Sequence, residues 1–287
     1  MAALNVLHGV TACGGEATAN CRAEDRLSLL ADAIEAAGCP DVVGLQEVAP
    51  ELQGARLPEM AADGLCAGAY DVAYDPQNPV DTELTLSAVP IVDQRGIQLS
   101  GPPWSAQWTR LDTDIGPVDL VVTHFASSSF NPPCDPSVCA PYCETGVELG
   151  TCNAREVLDF LDRRGDPNAT WIVAGDLNGA VDDPRVGVLT EAGFRDSWTE
   201  GGNPECDPAT GEGCTCCIGG PGPLEGLDRA DRPYDTRIDF VLVRPGPDCD
   251  LAFVDPTGGF ADQPAAEPAN GVVWVSDHGG VQATLTC

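Results

Sequence analysis

Short apolar runs recur along the chain, and most of them end on, or are interrupted by, a single polar residue. Ala3-Leu4-Asn5-Val6-Leu7-His8-Gly9 reads as a first strand with Asn5 inside it. A central strand seldom buries an amide without a partner, so Asn5 asks for one. Leu27, Leu30, Ala31 and Ile34 fall at i, i+3, i+4 and i+7. They line one face of a helix that Gly38 and Pro40 stop. Asp41 to Val48 predicts a second strand, carrying Glu47 near its end. A helix between two buried strands makes them neighbours in one sheet without fixing their direction. Tyr70 to Ala73 and Leu84 to Ile91 predict further strands, the latter with Glu83 at its start. Val118 to Phe125 predicts a strand that delivers His124 at its end.

The second half repeats the habit. Residues 153 to 163 read as a helix with Val157, Leu158 and Leu161 inward. Trp171-Ile172-Val173-Ala174 is a buried run that stops at Gly175, and Asp176 and Asn178 follow two residues apart. On extended or tightly turning backbone these two face the same side. Alone, Gly-Asp-Leu-Asn reads equally well as a strand running into an Asx turn. Pro184 opens a short helix, and Phe194 to Trp198 begins the next connection. Thr236 to Val243 predicts a strand interrupted by Asp239, and Trp274 to Val281 leads into a last strand ending at Cys287. No internal repeat and no linker divides the sequence. The expectation is one α/β domain over residues 1–287, with loop insertions near 126–152 and 201–233.

Composition changes this picture in two ways. The chain has 287 residues and fourteen cysteines, placed mostly in the loops. So many argue for an oxidising compartment and up to seven disulfides of undetermined pairing. Cys214, Cys216 and Cys217 form the best cluster for a zinc alternative, but their spacing lacks paired two-residue gaps and no His is near in sequence. No basic n-region precedes the first apolar run, which Asn5 and His8 interrupt, so no signal peptide is read here. The expectation is an extracellular or periplasmic chain from which the signal has been removed. No apolar run approaches membrane-spanning length.

The second change is charge. The formal net charge is −31, and all fourteen basic residues are Arg. Such a surface repels polyanions at low salt and favours a monomer. It counts against extended, tight binding to nucleic acid.

The polar interruptions then form an ordered set. Asn-x-x-His-Gly at Asn5, Leu-Gln-Glu at Glu47, Leu-Ser-x-x-Pro-Ile at Leu86, Thr-His-Phe at His124, Gly-Asp-Leu-Asn at Asp176, Arg-Ile-Asp-Phe at Asp239 and Ser-Asp-His at His278 follow one another from Asn5 nearly to the end of the chain. Each motif alone is weak, but the complete order is specific. The order resembles the endonuclease/exonuclease/phosphatase superfamily, whose fold is that of deoxyribonuclease I. The resemblance implies a four-layer α/β (α+β) sandwich, two packed mixed sheets with helices outside, and a divalent-metal phosphoesterase site at one edge.

Carried over residue by residue, the resemblance makes Glu47 the main metal ligand, with Asn5 beside it and Asp277 sharing the ion. Hard oxygen ligands suit Mg²⁺ first, with Mn²⁺ or Ca²⁺ possible, better than zinc. It makes Asp176 the residue that orients or deprotonates the attacking water, and Asn178 a holder of phosphate oxygen. His278 is implied to meet the phosphate or to act as acid/base, oriented by Asp239. His124 is implied as a second imidazole on the phosphate, with Glu83 orienting it. His8 is assigned to the surroundings of the site. Arg237, two residues before Asp239 on the same strand face, is the favoured candidate to grip substrate phosphate. Arg110 and Arg155 are read as ordinary surface ion pairs. One departure stands out: Gly279 and Gly280 follow His278 where the family usually carries an aromatic residue and a proline.

These roles suit phosphoryl transfer, which needs an in-line nucleophile, charge neutralisation and help for the leaving group. The favoured substrate is a nucleic-acid phosphodiester, the commonest extracellular role. The scarcity of basic residues makes a phospholipid-type or small phosphodiester the runner-up, and a phosphomonoester ranks third. Trp104 and Trp108 could serve as a membrane element; they are read as core. A catalytically dead binding module would have lost Glu47, Asp176, Asn178, Asp239 or His278, and all are present. A disulfide-rich structural protein would explain the cysteines but not the ordered polar groups.

Overall fold

In chain order the computed structural model shows β1 (Ala2–Asn5), α1 (Ala23–Ala36), β2 (Val42–Val48), α2 (Gln53–Asp63), β3 (Asp71–Ala73), β4 (Thr82–Ser87), β5 (Ile91–Gln98), β6 (Ser105–Thr113) and β7 (Gly116–His124). Then come α3 (Leu149–Arg164), β8 (Thr170–Asp176), α4 (Pro184–Glu191), β9 (Arg195–Asp196), β10 (Asp239–Arg244), β11 (Ala252–Phe260) and β12 (Gly280–Thr286), with single-turn helices at Ser197–Glu200 and Leu224–Leu227. The structure describes residues 1–7, 21–127, 131–143, 145–218, 224–231 and 234–287. His8 and Cys13 lie outside the described residues.

Two six-stranded sheets form, ordered β11-β12-β1-β2-β4-β3 and β5-β6-β7-β8-β10-β9. Each contains one parallel pair, β1 with β2 and β7 with β8. All other pairings are antiparallel. Each parallel pair is bridged by one helix, α1 or α3. A parallel pair needs such a crossover. The C-terminal ends of both pairs carry the polar interruptions: Asn5 and Glu47 on one sheet, His124 and Asp176 on the other.

Three apolar clusters define the layers. Leu27, Leu30 and Ile34 of α1 pack with Leu4, Leu45 and Leu86 on the outer face of the first sheet. Val157, Phe160 and Leu161 of α3 pack with Trp108, Val121 and Val173 on the outer face of the second. Leu120, Val122, Ile172, Val241 and Val281 fill the space between the sheets. Helix, sheet, sheet, helix is the expected four-layer sandwich. Trp104 and Trp108 are buried, as read.

The structure amends several elements. The run Leu84 to Ile91 is not one strand: β4 ends at Ser87, and Ile91 begins β5 in the opposite sheet. Pro90 has no N–H to continue a ladder, so the chain leaves the sheet there. β5, β6, β11 and α2 were not predicted. In β6 polar Gln107 and Thr109 are buried on the face opposite Ala106 and Trp108, so its alternation is masked by polar residues that point inward. α2 contains Gly54 and Pro58, both poor helix formers. α3 starts at Leu149, earlier than its apolar period.

The cysteines are joined as Cys39–Cys66, Cys134–Cys139, Cys143–Cys152, Cys206–Cys214, Cys216–Cys217 and Cys249–Cys287. Cys21 is also disulfide-bonded, and no described cysteine is free. Two of these bonds lie in residues 126–152 and two in 201–233. The two that close long loops, Cys39–Cys66 and Cys249–Cys287, each stabilise by roughly 2–4 kcal/mol, chiefly by restricting the unfolded chain.

Candidate active site

The site is built on strand ends. In parallel register His124 lies opposite Asp176, and in antiparallel register Asp239 lies opposite the same Asp176. Asp176 is therefore the centre of three adjacent strands, and it is 1 % exposed. From the other sheet Asn5 reaches it: Asn5 Nδ2 donates to Asp176 Oδ2 at 3.0 Å and to Glu47 Oε1 at 2.9 Å. This amide supplies the partner its burial demanded.

Two imidazoles converge on the same carboxylate oxygen. His124 Nε2 lies 3.5 Å and His278 Nε2 3.8 Å from Asp176 Oδ2. Each ring is held from behind through Nδ1. Asp239 Oδ2 lies 3.0 Å from His278 Nδ1, as expected for its orienting partner. Asp81 Oδ2 lies 3.0 Å from His124 Nδ1. Here the structure corrects the sequence reading: Glu83 does not contact the ring, and its Oε2 accepts from Ser105 Oγ at 2.6 Å. Asp81 and Glu83 sit two residues apart, so either was a candidate and only the fold decides.

Electrostatics follow from this geometry. Burial opposes charge on His124, but Asp81, Asp176 and Glu47 overcome it and push its pKa up to about 10. Burial likewise opposes charge on His278, and Asp239 and Asp176 raise its pKa well above the ordinary value. Burial raises Asp176 to about 6, against the pull of the two imidazoles. Burial, and after it the neighbouring Asp81, push the Glu83 carboxyl well above the usual carboxylate range.

Glu47 and Asp277 form the acidic edge. Glu47 has φ +57° where the β2–β4 register shifts, and such a bulge re-aims a side chain. Holding a non-glycine residue there costs about 1–3 kcal/mol, which the surrounding packing must offset. Burial and the neighbouring Glu47 push the Asp277 carboxyl up. Two carboxylates that repel each other beside a buried site are what a hard divalent cation relieves, and their oxygens suit Mg²⁺. The donor set therefore fits a divalent metal. Asn5 lies beside Glu47. Its Oδ1 accepts from Leu7 N at 3.0 Å, and its nitrogen donates to Glu47 and Asp176. The amide thereby holds the Glu47 carboxylate in place.

Asn178, at φ +52°, donates its backbone N–H to Asp176 Oδ1 at 2.8 Å and its Nδ2 to Phe125 O at 3.0 Å. One amide hydrogen remains beyond that bond. Arg237 is a second correction. Only 2 % of its side chain is exposed, and its guanidinium donates to Asp196 Oδ2 at 2.8 Å and to both oxygens of Glu205 at 2.5 and 3.2 Å. It also stacks on Phe240, 4.4 Å from the ring centroid. Two carboxylates neutralise this buried cation through Nε and Nη2, and Nη1, which has no partner, is buried as well. Arg110 makes a two-point ion pair with Asp119, whose carboxylate is fully buried, so the pair lies deeper than the surface pair expected.

Sequence reasoning missed Arg26. Buried in α1, it donates to the carbonyls of Cys21, Val6, Leu7 and Val275, tying the loop after β1 to the segment before Asp277. No motif marks a cation that binds only backbone. The glycines after His278 also gain a reason. A Cβ on Gly279 would meet Tyr234 Cε2 at 3.0 Å, and one on Gly280 would meet Ala3 O at 2.2 Å. Tyr234 fills the space from a neighbouring loop, so these positions hold nothing larger.

A four-layer sandwich that gathers paired imidazoles, an aspartate between them and an acidic edge defines a metal-dependent phosphoesterase. The family model of the Endonuclease/Exonuclease/phosphatase family matches residues 2–278, and the chain belongs to that family. No curated protein matches it by sequence. Among solved structures, D. rerio TDP2 complexed with single-strand DNA product is 19 % identical, with a TM-score of 0.66 covering 100 % of this chain and 98 % of that one. The mannosyl-6-phosphatase Bt3783 of Bacteroides thetaiotaomicron is 16 % identical, with a TM-score of 0.65 and the same coverage. The endonuclease/exonuclease/phosphatase from Beutenbergia cavernae is 21 % identical, with a TM-score of 0.59 covering 99 % and 70 %. At these identities the likeness is one of fold.

Proposed function

We propose that this chain is an extracellular, Mg²⁺-dependent phosphodiesterase that acts as a monomer, with nucleic acid as its first substrate class. The observation that carries the reading is the convergence of His124 and His278 on Asp176, each ring backed by its own carboxylate. Glu47 and Asp277 would hold the cation, which neutralises phosphate charge and stabilises the departing oxygen when bound. Asp176 orients the attacking water and accepts its proton. His124 stays charged and binds a phosphate oxygen, as does the remaining amide hydrogen of Asn178. His278, its Nδ1–H fixed by Asp239, gives the Nε2 proton to the leaving group.

A small or lipid phosphodiester is the second reading, and two observations favour it. The net charge of −31 opposes a polyanion, and Arg237 is spent on Asp196 and Glu205. The two imidazoles can meet one phosphate but do not track a backbone. The disulfides support the extracellular assignment, because such bonds persist in oxidising compartments. Among the described residues no helix is long and apolar enough to cross a membrane.

The test offers plasmid DNA, RNA, sphingomyelin and bis-p-nitrophenyl phosphate in parallel to the oxidised protein with Mg²⁺, Mn²⁺ or Ca²⁺. Mg²⁺-dependent nicking abolished by EDTA supports the nuclease. Turnover of the lipid or small diester without nicking moves the assignment to the second reading. Loss of all turnover with metal supplied would overturn phosphodiester hydrolysis.

A further inference from the structure

Cys214, Cys216 and Cys217 left one question open, because no histidine is near them in sequence. In space one is: His278 Nε2 lies 3.6 Å from Cys216 Sγ and 3.8 Å from Cys217 Sγ. The three ligand atoms all lie within 4.8 Å of one another. Tetrahedral zinc, at about 2.3 Å from sulfur and about 2.0 Å from imidazole nitrogen, needs sulfur and nitrogen roughly 3.5 Å apart. The observed separations are close to that. Asp239 at Nδ1 leaves Nε2 as the coordinating nitrogen, and a carboxylate behind a histidine is the usual support of a metal ligand.

The segment carrying the pair does not depend on the Cys216–Cys217 bond for its position. Cys214 is bonded to Cys206. Thr215 Oγ1 accepts the backbone N–H groups of Ile238 and Asp239, and Thr215 O accepts that of Gly279. Cys216 N donates to Thr236 O, and Ile218 N donates to Asp277 O. These bonds fix the backbone of both cysteines beside His278 whether or not their sulfurs are joined, and opening the bond frees the sulfurs to part to the spacing a tetrahedral ion needs. Cys216 is buried and Cys217 half-buried, so the pair is reached from one side.

We propose that reduced Cys216 and Cys217, with His278, form a soft-metal site for Zn²⁺ or Cd²⁺ that shuts the active site. A dithiol reductant supplies two electrons and two protons to the Cys216–Cys217 disulfide and is itself oxidised to a cyclic disulfide. The metal then binds two sulfurs and Nε2, and the two thiol protons pass to solvent. A fourth position stays open to water. Coordination removes the Nε2 that faces Asp176, so activity stops while the pair is loaded. The metal site stands on geometry alone; only its inhibitory effect rests on the role proposed for His278.

The test is Cd²⁺ titration of the whole protein after mild reduction, with alkylation and mass spectrometry to identify the opened bond and circular dichroism to follow the fold. Wild type should bind one Cd²⁺ with a thiolate-to-cadmium charge-transfer band and lose activity about 10²-fold, the scale of a lost general acid. The Cys216→Ser/Cys217→Ser variant should show neither the band nor Cd²⁺ sensitivity, and His278→Ala should bind Cd²⁺ more weakly. An equal band in the double-serine variant would overturn the site. So would unfolding before the pair opens, or no band in reduced wild type. A band without loss of activity would keep the metal site and remove its inhibitory effect, together with the role of His278.

Discussion

His124 and His278 meet the same oxygen of Asp176, yet their settings differ. His124 is the end of β7, and strands supply its neighbours: Asp81 directly precedes β4, and Ser105 opens β6. Trp104 packs edge-on against its ring, with centroids 4.8 Å apart. His278 instead stands in a loop, backed by Asp239 at the start of β10 and flanked by the sulfurs of a second loop. A ring fixed by strands suits a constant charge on phosphate. A ring in a junction of loops suits proton donation, and it is also where control can enter. In the proposed mechanism, fixed charge and transferable proton are divided between these two similar dyads.

The largest effects should separate these roles. His278→Ala should lower kcat by about 10²–10⁴-fold on a substrate with a poor leaving group. The loss should shrink on p-nitrophenyl esters, whose leaving group needs no proton. His124→Ala should cost activity on both substrates alike. Equal leaving-group dependence in the two variants would erase the comparison.

Arg237 sharpens it on the His278 side. Arg237→Met leaves buried Asp196 without its cation, which should cost about 3–5 kcal/mol of stability. The denaturant midpoint should fall, while KM for a small diester stays near wild type. A raised KM with an unchanged midpoint would return Arg237 to substrate binding.

On the His124 side, Asp81→Asn should lower kcat by roughly 10–100-fold, the usual scale for a group that orients a working histidine. Fold and metal dependence should persist. An unaffected kcat would show that the strands alone fix the ring.

The sequence made the layers and most of the site legible, and the reasons are local. Leu27, Leu30 and Ile34 repeat at helical spacing, and the apolar run Leu120 to Val122 ends on Thr123 and His124. Asp176, Asp239 and His278 were legible because each breaks an apolar stretch or closes a short motif. What stayed hidden depends on chain pairing. β6 was missed because Gln107 and Thr109 are polar and buried together. Arg26 was missed because its partners are carbonyls. Arg237 was misread because Glu205 and Asp196, which neutralise it, lie 32 and 41 residues away in sequence. No periodicity reports that approach.

The choice between Asp81 and Glu83 gives the smallest and sharpest test. Both are buried acids, one just before β4 and one within it, but only Asp81 hydrogen-bonds the ring. Burial and Asp81 disfavour charge on Glu83, and its carboxyl accepts from Ser105. An amide matches the carboxyl in shape and retains an oxygen for that bond. Glu83→Gln should therefore change stability and transition-state binding by about 1 kcal/mol or less, the net worth of one hydrogen bond. The nitrogen-15 signals of the His124 ring should stay in place in Glu83→Gln and move in Asp81→Asn. If Glu83→Gln instead matched Asp81→Asn in kcat and ring signals, Glu83 would be an ionised member of the dyad. The two imidazoles would then differ in how many carboxylates they need, rather than in what surrounds them.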